Sequence, residues 1–314
     1  MSGAAGPAKR QSQLLIVGGG TGLVGRALLE EFRADHAIRT IHRRPSAREI
    51  ALGVEVLRAD VGLVQDWSPM LEGVDLLVNV AWYRSGPDRR FRPLAAGLER
   101  MFRAAAAAGI PRVVHLSVPP APSSLEEELP YLVRKRQVDQ TVRNSDLDYT
   151  ILTPTMLFGP GDRLLTVMLR TMRRWHRFPL FDGGGYHISP VAASDLARIV
   201  RVEGSRGGRR TVPIGGPRRW TYRDLTDRLF RALGDPPRYW NWSAARGRRV
   251  ARLLEVLGST LIYPYEVDWL VSDMLGLPPY AGLDRPMQDV EPFLDREAAR
   301  LLGARPAPLP PQDG

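Results

Sequence analysis

The sequence contains no cysteine, which excludes disulfides, thiolate metal sites and cysteine nucleophiles. No uninterrupted apolar run approaches the roughly 20 residues that a membrane-spanning helix needs. The start of the chain, Met1 to Gln13, lacks the apolar core of a signal peptide. These absences fit a reducing compartment, and we expect a cytoplasmic location.

Histidines and lysines are also scarce. The five histidines are scattered without a ligand spacing, so we expect no metal site. Of the 44 basic residues only Lys9 and Lys135 are lysines. A GC-rich genome explains the excess of arginine, but it does not explain why Lys135 comes four residues after Tyr131. The spacing Tyr-x-x-x-Lys places a phenol and an ammonium on one face of a helix, one turn apart.

The composition is that of an ordinary globular protein. With 314 residues, 44% hydrophobic and 25% charged, the chain can form a main domain with a smaller lobe. The net charge of +10 favours anionic partners and is concentrated at 170–177 and 246–252. The second stretch is typical of a basic amphipathic helix, which either lies on an anionic membrane surface or forms a solvated face. No nucleic-acid motif accompanies the charge, and we expect no nucleic-acid partner.

The first half of the chain alternates between strand-like and helix-like segments. Apolar runs predict strands at 14–17, 37–42, 54–59, 74–80, 112–116 and 149–152. Helical periodicity follows the first strand, covers 93–108 and surrounds Tyr131. Strands that alternate with helices form a parallel sheet covered on both faces. The expected fold class is therefore α/β, a Rossmann-type doubly wound parallel sheet with a smaller C-terminal substrate lobe.

The pattern loosens after Pro154, and the organisation of the second half is less regular. A late strand is predicted at 211–214, and a helix over 222–233 begins with a capping box of Thr221 and Asp224. We expect a flexible tail at 1–12, a nucleotide-binding domain from 13–154 with about 190–216, a smaller substrate or partner lobe from 155–189 and 217–303, and a disordered proline-rich tail at 304–314.

A glycine-rich turn follows the first strand directly and opens a helix. It reads Gly19, Gly20, Thr21, Gly22, Leu23, Val24 and Gly25. Glycines let the backbone turn tightly and approach a pyrophosphate, and the helix N-terminus offers free N–H groups and a positive dipole. The turn therefore predicts a dinucleotide site, although its glycine spacing is G-x-x-G-x-x-G rather than G-x-G-x-x-G.

The end of the second strand indicates which dinucleotide. A site specific for NAD usually has an acidic residue here to hold the ribose 2′-hydroxyl. This chain has Arg43 and Arg44 instead, which suit a 2′-phosphate through charge-assisted hydrogen bonds. We therefore expect NADP(H) in preference to NAD(H), the alternative being that these arginines are ordinary surface residues.

These features, in this order, resemble the short-chain dehydrogenase/reductase superfamily from about Leu14 to Gly234, and in particular its extended and atypical branches. Within them the sequence resembles NmrA-like proteins and the related accessory subunit of respiratory complex I. The landmarks that carry the resemblance are Gly19-x-x-Gly22-x-x-Gly25, Arg43-Arg44, Asp60-Val61, Asn79-Val80-Ala81, 108–117, Tyr131-x-x-x-Lys135, 147–154, 158–162, Pro190-Val191, 194–197 and 215–217.

The resemblance implies a part of the cofactor for each landmark. It assigns the pyrophosphate to 19–25, the adenine to Asp60 and Val61, the nicotinamide side to Val80 and Ala81, the nicotinamide ribose to Lys135, and the vicinity of the ring to the segment that follows Pro154. It also implies that Tyr131 is the catalytic acid/base. A tyrosine with a pKa of about 10 is a poor acid/base at neutral pH, and a neighbouring ammonium favours the phenolate.

The sequence departs from the family's catalytic pattern at one position. Catalytic members carry a serine or threonine that polarises the substrate oxygen, usually the second residue of a Ser-Ser pair at the end of the fifth strand. Here that strand ends Ser117-Val118, so valine takes the expected place. Either Ser117 is displaced into the role, or Ser123 or Ser124 folds back toward the tyrosine, or the protein has no catalytic serine.

Two functions remain open at this point. The first is an NADP-dependent oxidoreductase or epimerase-type enzyme that acts on a small carbonyl or hydroxyl compound, which the arginines at 170–177 would recognise if it is anionic. The second is a non-catalytic NADP(H)-binding redox sensor, assembly factor or complex subunit, and a basic surface that associates peripherally with a membrane or a larger complex fits it. The Tyr131–Lys135 pair favours the enzyme, and the missing serine favours the binding protein.

Overall fold

The apolar runs of the first half form strands because their side chains are buried on both faces of a sheet, as parallel strands require. The computed structural model describes residues 11–44, 46–83, 88–256 and 263–303. The strands are β1 (Ser12–Val17), β2 (His36–His42), β3 (Glu55–Arg58), β4 (Leu76–Asn79), β5 (Arg112–Leu116), β6 (Tyr149–Pro154), β7 (Leu157–Phe158), β8 (Phe178–Phe181), β9 (His187–Ile188), β10 (Val191–Ala192), β11 (Arg210–Ile214), β12 (Trp220–Thr221) and β13 (Tyr239–Trp242).

Helices cover the sheet and make up most of the second half. They are α1 (Leu23–Phe32), α2 (Ala47–Ala51), α3 (Ser68–Leu71), α4 (Asp88–Ala107), α5 (Ser123–Glu128), α6 (Pro130–Arg143), α7 (Leu164–Trp175), α8 (Ala193–Ser205), α9 (Tyr222–Ala232), α10 (Ala244–Val256), α11 (Pro264–Val271) and α12 (Glu291–Leu302). In the described part of the chain, no helix is both long enough and apolar enough to cross a bilayer.

One seven-stranded sheet has the order β3-β2-β1-β4-β5-β6-β11. The pairings among β1 to β6 are parallel, and Val17 at the end of β1 is level with Ile41 of β2 and Asn79 of β4. The strand order reverses between β1 and β4, and in such sheets ligands bind beyond the carboxyl ends of the strands at this switch point. The predicted Rossmann-type fold class is confirmed.

The predicted elements mostly agree with the structure, and α4 is the instructive exception. The proline at position 93 suggested a helix that starts there, but α4 begins five residues earlier, at Asp88, with Pro93 inside it. Asp88 is held by Arg92 and by Arg134 of α6, and an acidic residue in the first turn is favourable to the helix dipole. By contrast, α9 begins as predicted, with the Thr221 side chain accepting a hydrogen bond from the Asp224 amide at 3.0 Å.

The chain divides into two compact units. Described residues within 1–117, 134–152 and 197–211 belong to the first, and those within 118–133, 153–196 and 212–314 to the second. The division differs from the expected domains, because the stretch 118–133, which contains Tyr131, groups with the second unit. Of the two predicted tails, 1–12 and 304–314, nearly all residues lie outside the described part of the chain.

Each unit has its own apolar core. In the first, residues of β1, β2 and β4 pack with one face of α4, including Leu94, Leu98 and Phe102. In the second, α7, α9 and α12 contribute Leu169, Leu225 and Phe293 to a cluster that also includes short strands. The basic stretches of the sequence lie in the second unit, on exposed faces of α7 and α10.

Candidate cofactor and catalytic site

The glycine turn between β1 and α1 has the shape expected of a phosphate cradle. Gly19 has a φ of +76°, which favours glycine, and a Cβ at Gly25 would meet the Gly19 carbonyl oxygen at 2.0 Å. A Cβ at Gly22, the N-cap of α1, would point into open space. The turn is therefore packed closely between Gly19 and Gly25, whereas the side at Gly22 is open, and an anion can approach the helix N-terminus there.

A cavity of about 490 Å³ opens beside this turn, within the first unit. Its lining residues come from the ends of β1 to β4 and from α4, and they are Gly18, Thr21, Ile41, His42, Arg43, Arg44, Ala59, Asp60, Val61, Val80, Ala81, Trp82, Tyr83 and Leu94. Six of the residues expected from the sequence to contact the adenine half or the nicotinamide side are thereby brought together: Arg43, Arg44, Asp60, Val61, Val80 and Ala81. A cavity that combines a glycine cradle with exposed arginines fits a dinucleotide.

The arginines at the end of β2 are exposed and lie beside an acidic and an aromatic side chain. Arg43 Nη1 is 3.7 Å from the Asp60 carboxylate, and the Arg43 guanidinium lies 5.7 Å from the centre of the Tyr83 ring. Arg90 of α4 lies over the same ring at 4.3 Å. Since Arg43 is 59% exposed, its charge is available at the cavity.

Glu49 is a site residue that the sequence reasoning missed. Its buried carboxylate accepts hydrogen bonds from the Gly20 amide at 2.9 Å, from Thr40 Oγ1 at 3.1 Å and from the amide and hydroxyl of Ser46. His42 Nε2 lies 2.9 Å from the same carboxylate. Burial alone would raise the pKa of Glu49, but the hydrogen bonds from Gly20 and Ser46 lower it below its usual value.

Glu49 connects two elements of the first unit, because its carboxylate accepts hydrogen bonds from the Gly20 amide of the glycine turn and from the Ser46 amide at the start of α2. These hydrogen bonds fix α2 to the glycine turn. The Ser46-x-x-Glu49 capping box was the sequence signal that could have revealed it.

Lys135 is buried beneath the carboxyl end of β5. Its Nζ donates to the Leu116 carbonyl at 2.6 Å and lies 4.5 Å from the centre of the Trp82 ring, which also lines the cavity. Burial lowers the pKa of Lys135 to about 8; the Asp139 charge opposes this effect and the Arg136 charge adds to it. The lysine is thus next to the expected nicotinamide side, as a compact cation that is still mostly protonated at neutral pH.

Ser117 does not have the free hydroxyl that a catalytic donor needs. Its Oγ is buried, donates to Asp139 Oδ2 at 2.7 Å and accepts from Arg136 Nη1 at 3.2 Å. Asp139 in turn contacts His115 Nε2 at 3.1 Å, and the other ring nitrogen of His115 lies 2.9 Å from Asn79 Nδ2. Sequence reasoning missed this buried network, in which the Ser117 hydroxyl already donates its hydrogen bond to the Asp139 carboxylate.

Tyr131 lies on α6, four residues before Lys135, and its ring is packed among aromatic side chains of α11. Tyr265 stacks on it with ring centres 5.4 Å apart, and Trp269 meets it edge-on at 5.7 Å. The indole nitrogen of Trp269 is buried without a hydrogen-bond partner in the described part of the chain. Pro154, the last residue expected at the site, ends β6 and is buried.

Comparison with known proteins agrees with this geometry. Residues 19–170 match a family of protein domains described as NAD(P)H-binding. The match begins at the first glycine of the predicted motif and extends through β7 into α7, so that it includes both Tyr131 and Lys135.

Curated relatives of the chain include reductases. It is 28% identical over 238 residues to (4-alkanoyl-5-oxo-2,5-dihydrofuran-3-yl)methyl phosphate reductase of Streptomyces griseus, covering 72% of this chain and 76% of the relative. It is 24% identical over 255 residues to 2-alkyl-3-oxoalkanoate reductase of Stenotrophomonas maltophilia, covering 71% and 76%. A mitochondrial NADH dehydrogenase 1 alpha subcomplex subunit 9 of Arabidopsis thaliana is 27% identical over 135 residues, covering 42% and 33%.

Solved structures show the same fold. A nucleoside-diphosphate-sugar epimerase of Staphylococcus aureus aligns with a TM-score of 0.73 at 17% identity, over 90% of this chain and 99% of that one. An NADPH-dependent quinone oxidoreductase of Escherichia coli, solved with NADPH, aligns with a TM-score of 0.69 at 21% identity, over 92% and 99%. The predicted resemblance to NAD(P)-binding reductases is confirmed by the match to the NAD(P)H-binding domain family, the similarity to curated reductases and the shared fold.

Proposed function

We propose that the protein is an NADPH-dependent reductase of a small carbonyl compound that carries a phosphate or carboxylate group. The observation that carries the proposal is the cavity of the first unit, where the glycine turn, two exposed arginines and the segment from Val80 to Tyr83 meet. Lys135 contacts that cavity through the Trp82 ring. Reductases among the curated relatives support the reaction type.

In this proposal the cofactor phosphates are bound at two places. The pyrophosphate lies against the N-terminus of α1, where Gly22 leaves open space and the helix dipole favours an anion. The 2′-phosphate lies at Arg43 and Arg44, since planar guanidinium groups hydrogen-bond phosphate well. Asp60 and Val61 contact the adenine, and Val80 and Ala81 line the nicotinamide side.

The chemistry falls to Tyr131 and Lys135. Bound NADPH supplies the hydride that reduces the carbonyl carbon. As the carbonyl oxygen gains negative charge, Tyr131 donates its phenolic proton to it, and the product is an alcohol. The Lys135 ammonium hydrogen-bonds the nicotinamide ribose, and its charge favours the phenolate that remains. The hydroxyl of Ser117 takes no part, because it already donates its hydrogen bond to Asp139.

The names of two relatives support an anionic substrate. One is a reductase of an (alkanoyl-oxo-dihydrofuranyl)methyl phosphate and the other a reductase of an oxoalkanoate, so each named compound combines a carbonyl with an anionic group. The chain's own net charge of +10 favours substrates of this kind. We therefore place the substrate in the class of small phosphorylated or carboxylated ketones.

Turnover of such a ketone tests the proposal. A 2-alkyl-3-oxoalkanoate should be reduced with loss of nicotinamide absorbance, and its neutral methyl ester should react more slowly. Tyr131→Phe should abolish the reaction while NADPH still binds, because the phenylalanine keeps the ring stacked on Tyr265 but has no proton to give. The matched control is Gln140→Ala, an exposed position on the same helix. Turnover by Tyr131→Phe at the wild-type rate would refute the role of Tyr131, and a wild-type protein that reduces no such ketone would refute the reductase.

A second candidate is a non-catalytic NADPH-binding protein, such as a redox sensor or a complex subunit. The commitment of the Ser117 hydroxyl to Asp139 favours it, because no serine donor then remains at the end of β5. The similarity to a mitochondrial NADH dehydrogenase subunit also supports it. This candidate holds if NADPH binds but no ketone of the proposed class is reduced by the wild-type protein.

A further inference from the structure

Asp139 connects three elements of the first unit through its buried carboxylate. It lies on α6, and it accepts hydrogen bonds from two side chains of the β5 end, His115 and Ser117. His115 in turn contacts Asn79 at the end of β4. No part of the proposed reaction uses this network, although its members lie beside residues assigned to the cofactor.

The direction of each hydrogen bond follows from the protonation of His115. Burial lowers the pKa of His115 to about 4, so that the ring is neutral at physiological pH and carries one N–H. Because the Asp139 carboxylate faces Nε2, the proton is on Nε2 and donates to Asp139. The other nitrogen then accepts from Asn79 Nδ2, which directs Asn79 Oδ1 toward the backbone amide of Ala81, at 3.1 Å.

The carboxylate thus fixes the backbone on the nicotinamide side of the cavity from a distance. If Asp139 could not accept from His115, the ring tautomer would no longer be set, and neither would the orientation of the Asn79 amide. The amide of Ala81 would lose a defined acceptor. A misplacement of about 1 Å at such a position can slow a reaction roughly a hundredfold.

Asp139 also lies one turn after Lys135 on α6, and both side chains hold the end of β5. Lys135 donates to the carbonyl of Leu116, which lies between the two residues that Asp139 contacts. The charged groups near the lysine are Asp139 and Arg136 of its own helix, while His115 of β5 is neutral. The carboxylate stabilises the ammonium, and the guanidinium destabilises it.

We propose that Asp139 is a positioning residue of the cofactor site, which holds Lys135 in its charged form and fixes the Val80–Ala81 backbone through His115 and Asn79. This inference rests on the proposed NADPH site. The Asp139 carboxylate therefore has two effects: it stabilises the Lys135 ammonium, and it orients the backbone that faces the nicotinamide.

The scarcity of lysine makes a direct test possible. Lys9 is the only other lysine, so a protein labelled with ¹³Cε-lysine gives two NMR signals whose titration can be followed. The signal of Lys135 should titrate near pH 8 in the wild-type protein. It should titrate about one pH unit lower in Asp139→Asn, because the opposite charge of the neighbouring Asp139 carboxylate is lost. In Arg136→Gln it should titrate higher than in the wild type, because a like charge is lost.

A downward shift of the Lys135 pKa in Asp139→Asn and an upward shift in Arg136→Gln distinguish this inference from a merely structural role. General loosening of the fold would not shift this pKa in opposite directions in the two variants. Arg136 is partly exposed and should tolerate substitution even if Asp139→Asn proves too unstable to study. Gln140→Ala, exposed on the same helix, should titrate like the wild type. Unchanged Lys135 titration in Asp139→Asn, or shifts of both variants in one direction, would overturn the inference. If only Arg136→Gln is stable enough to study, an unchanged Lys135 titration in that variant would overturn it.

NADPH affinity provides the functional readout. Above neutral pH the wild-type affinity should fall as Lys135 loses its proton, and at pH 8 the affinity of Asp139→Asn should be about fivefold weaker or more. If the wild type binds no NADPH, the proposed function fails, whereas the titration of Lys135 still decides the effect of Asp139. If the wild type binds and Asp139→Asn binds equally well across this pH range, the positioning role alone fails.

Discussion

Arg43 and Arg44 directly follow β2, and both are exposed and line the cavity together with Asp60. Replacing both by alanine should weaken NADPH binding roughly tenfold to a hundredfold, since a hydrogen bond to a charged group contributes about 1.5–3 kcal/mol. Binding of NADH should change little, because it lacks the 2′-phosphate. Fluorescence titration with both cofactors measures the difference. Arg33→Ala, on the exposed end of α1, is the matched control. Equal losses for the two cofactors would contradict a role in 2′-phosphate binding.

Lys135 offers a sharper substitution, because its charge can be kept while its shape changes. Lys135→Arg puts a planar fork into a buried space between the Leu116 carbonyl and the Trp82 ring. A guanidinium cannot take the place of a compact ammonium there without displacing its neighbours. We expect NADPH affinity to fall about tenfold in Lys135→Arg, with the fold retained by circular dichroism. An unchanged dissociation constant would count against the assigned contact with the ribose.

At the scale of elements, Glu49 fixes the short helix α2 to the glycine turn. Glu49→Gln keeps the size of the side chain but leaves one acceptor oxygen for donors on Gly20, Thr40 and Ser46. We expect a loss of about 2 kcal/mol in the free energy of unfolding at neutral pH, measured by urea denaturation. Glu127→Gln, the same substitution at an exposed site on α5, controls for the change of charge.

The pH dependence of this effect has a definite sign. The folded-state pKa of Glu49 is lowered from an unfolded value of 4.5, so its contribution to stability is present above that pH. The contribution is lost as the pH falls through the folded-state pKa. The difference in stability between wild type and Glu49→Gln should therefore be largest at neutral pH and should shrink in acid. A difference that stays constant from neutral pH to below pH 4 would show that the ionised carboxylate is not what matters.

The elements themselves could be predicted to different degrees. Strand β5 was predicted at its observed bounds, and β1, β2, β3, β4, β6 and β11 differ by two residues or fewer at each end, because apolar runs mark them clearly. Strand β4 is shorter than its apolar run at both ends. The short strands from β7 to β10 have two to four residues each, too few to show a period. Their pairing partners, such as β13 for β8, are distant in the sequence.

At the scale of the whole molecule, cofactor binding should raise thermal stability. A ligand at a hundred times its dissociation constant adds about 2.7 kcal/mol, which for a chain of this size corresponds to roughly 5 °C in Tm. NADPH should therefore raise Tm more than NADH does at the same concentration. The variant with both Arg43 and Arg44 replaced should lose the difference between the cofactors. Equal shifts for NADPH and NADH in the wild type would argue against the preference for NADP.

The sequence by itself determined the fold class, the position of the glycine turn and the Tyr131–Lys135 spacing. These features are local, because strand periodicity, a turn and one helical step are all visible within a few neighbouring residues. Only the tertiary structure decided which side chains are free to react. Ser117 is bound to Asp139 22 residues away, and the Gly20 amide to Glu49 29 residues away. Such pairs have no period in the sequence, since a hydrogen bond in a folded core depends on which ends of the sheet and helices meet.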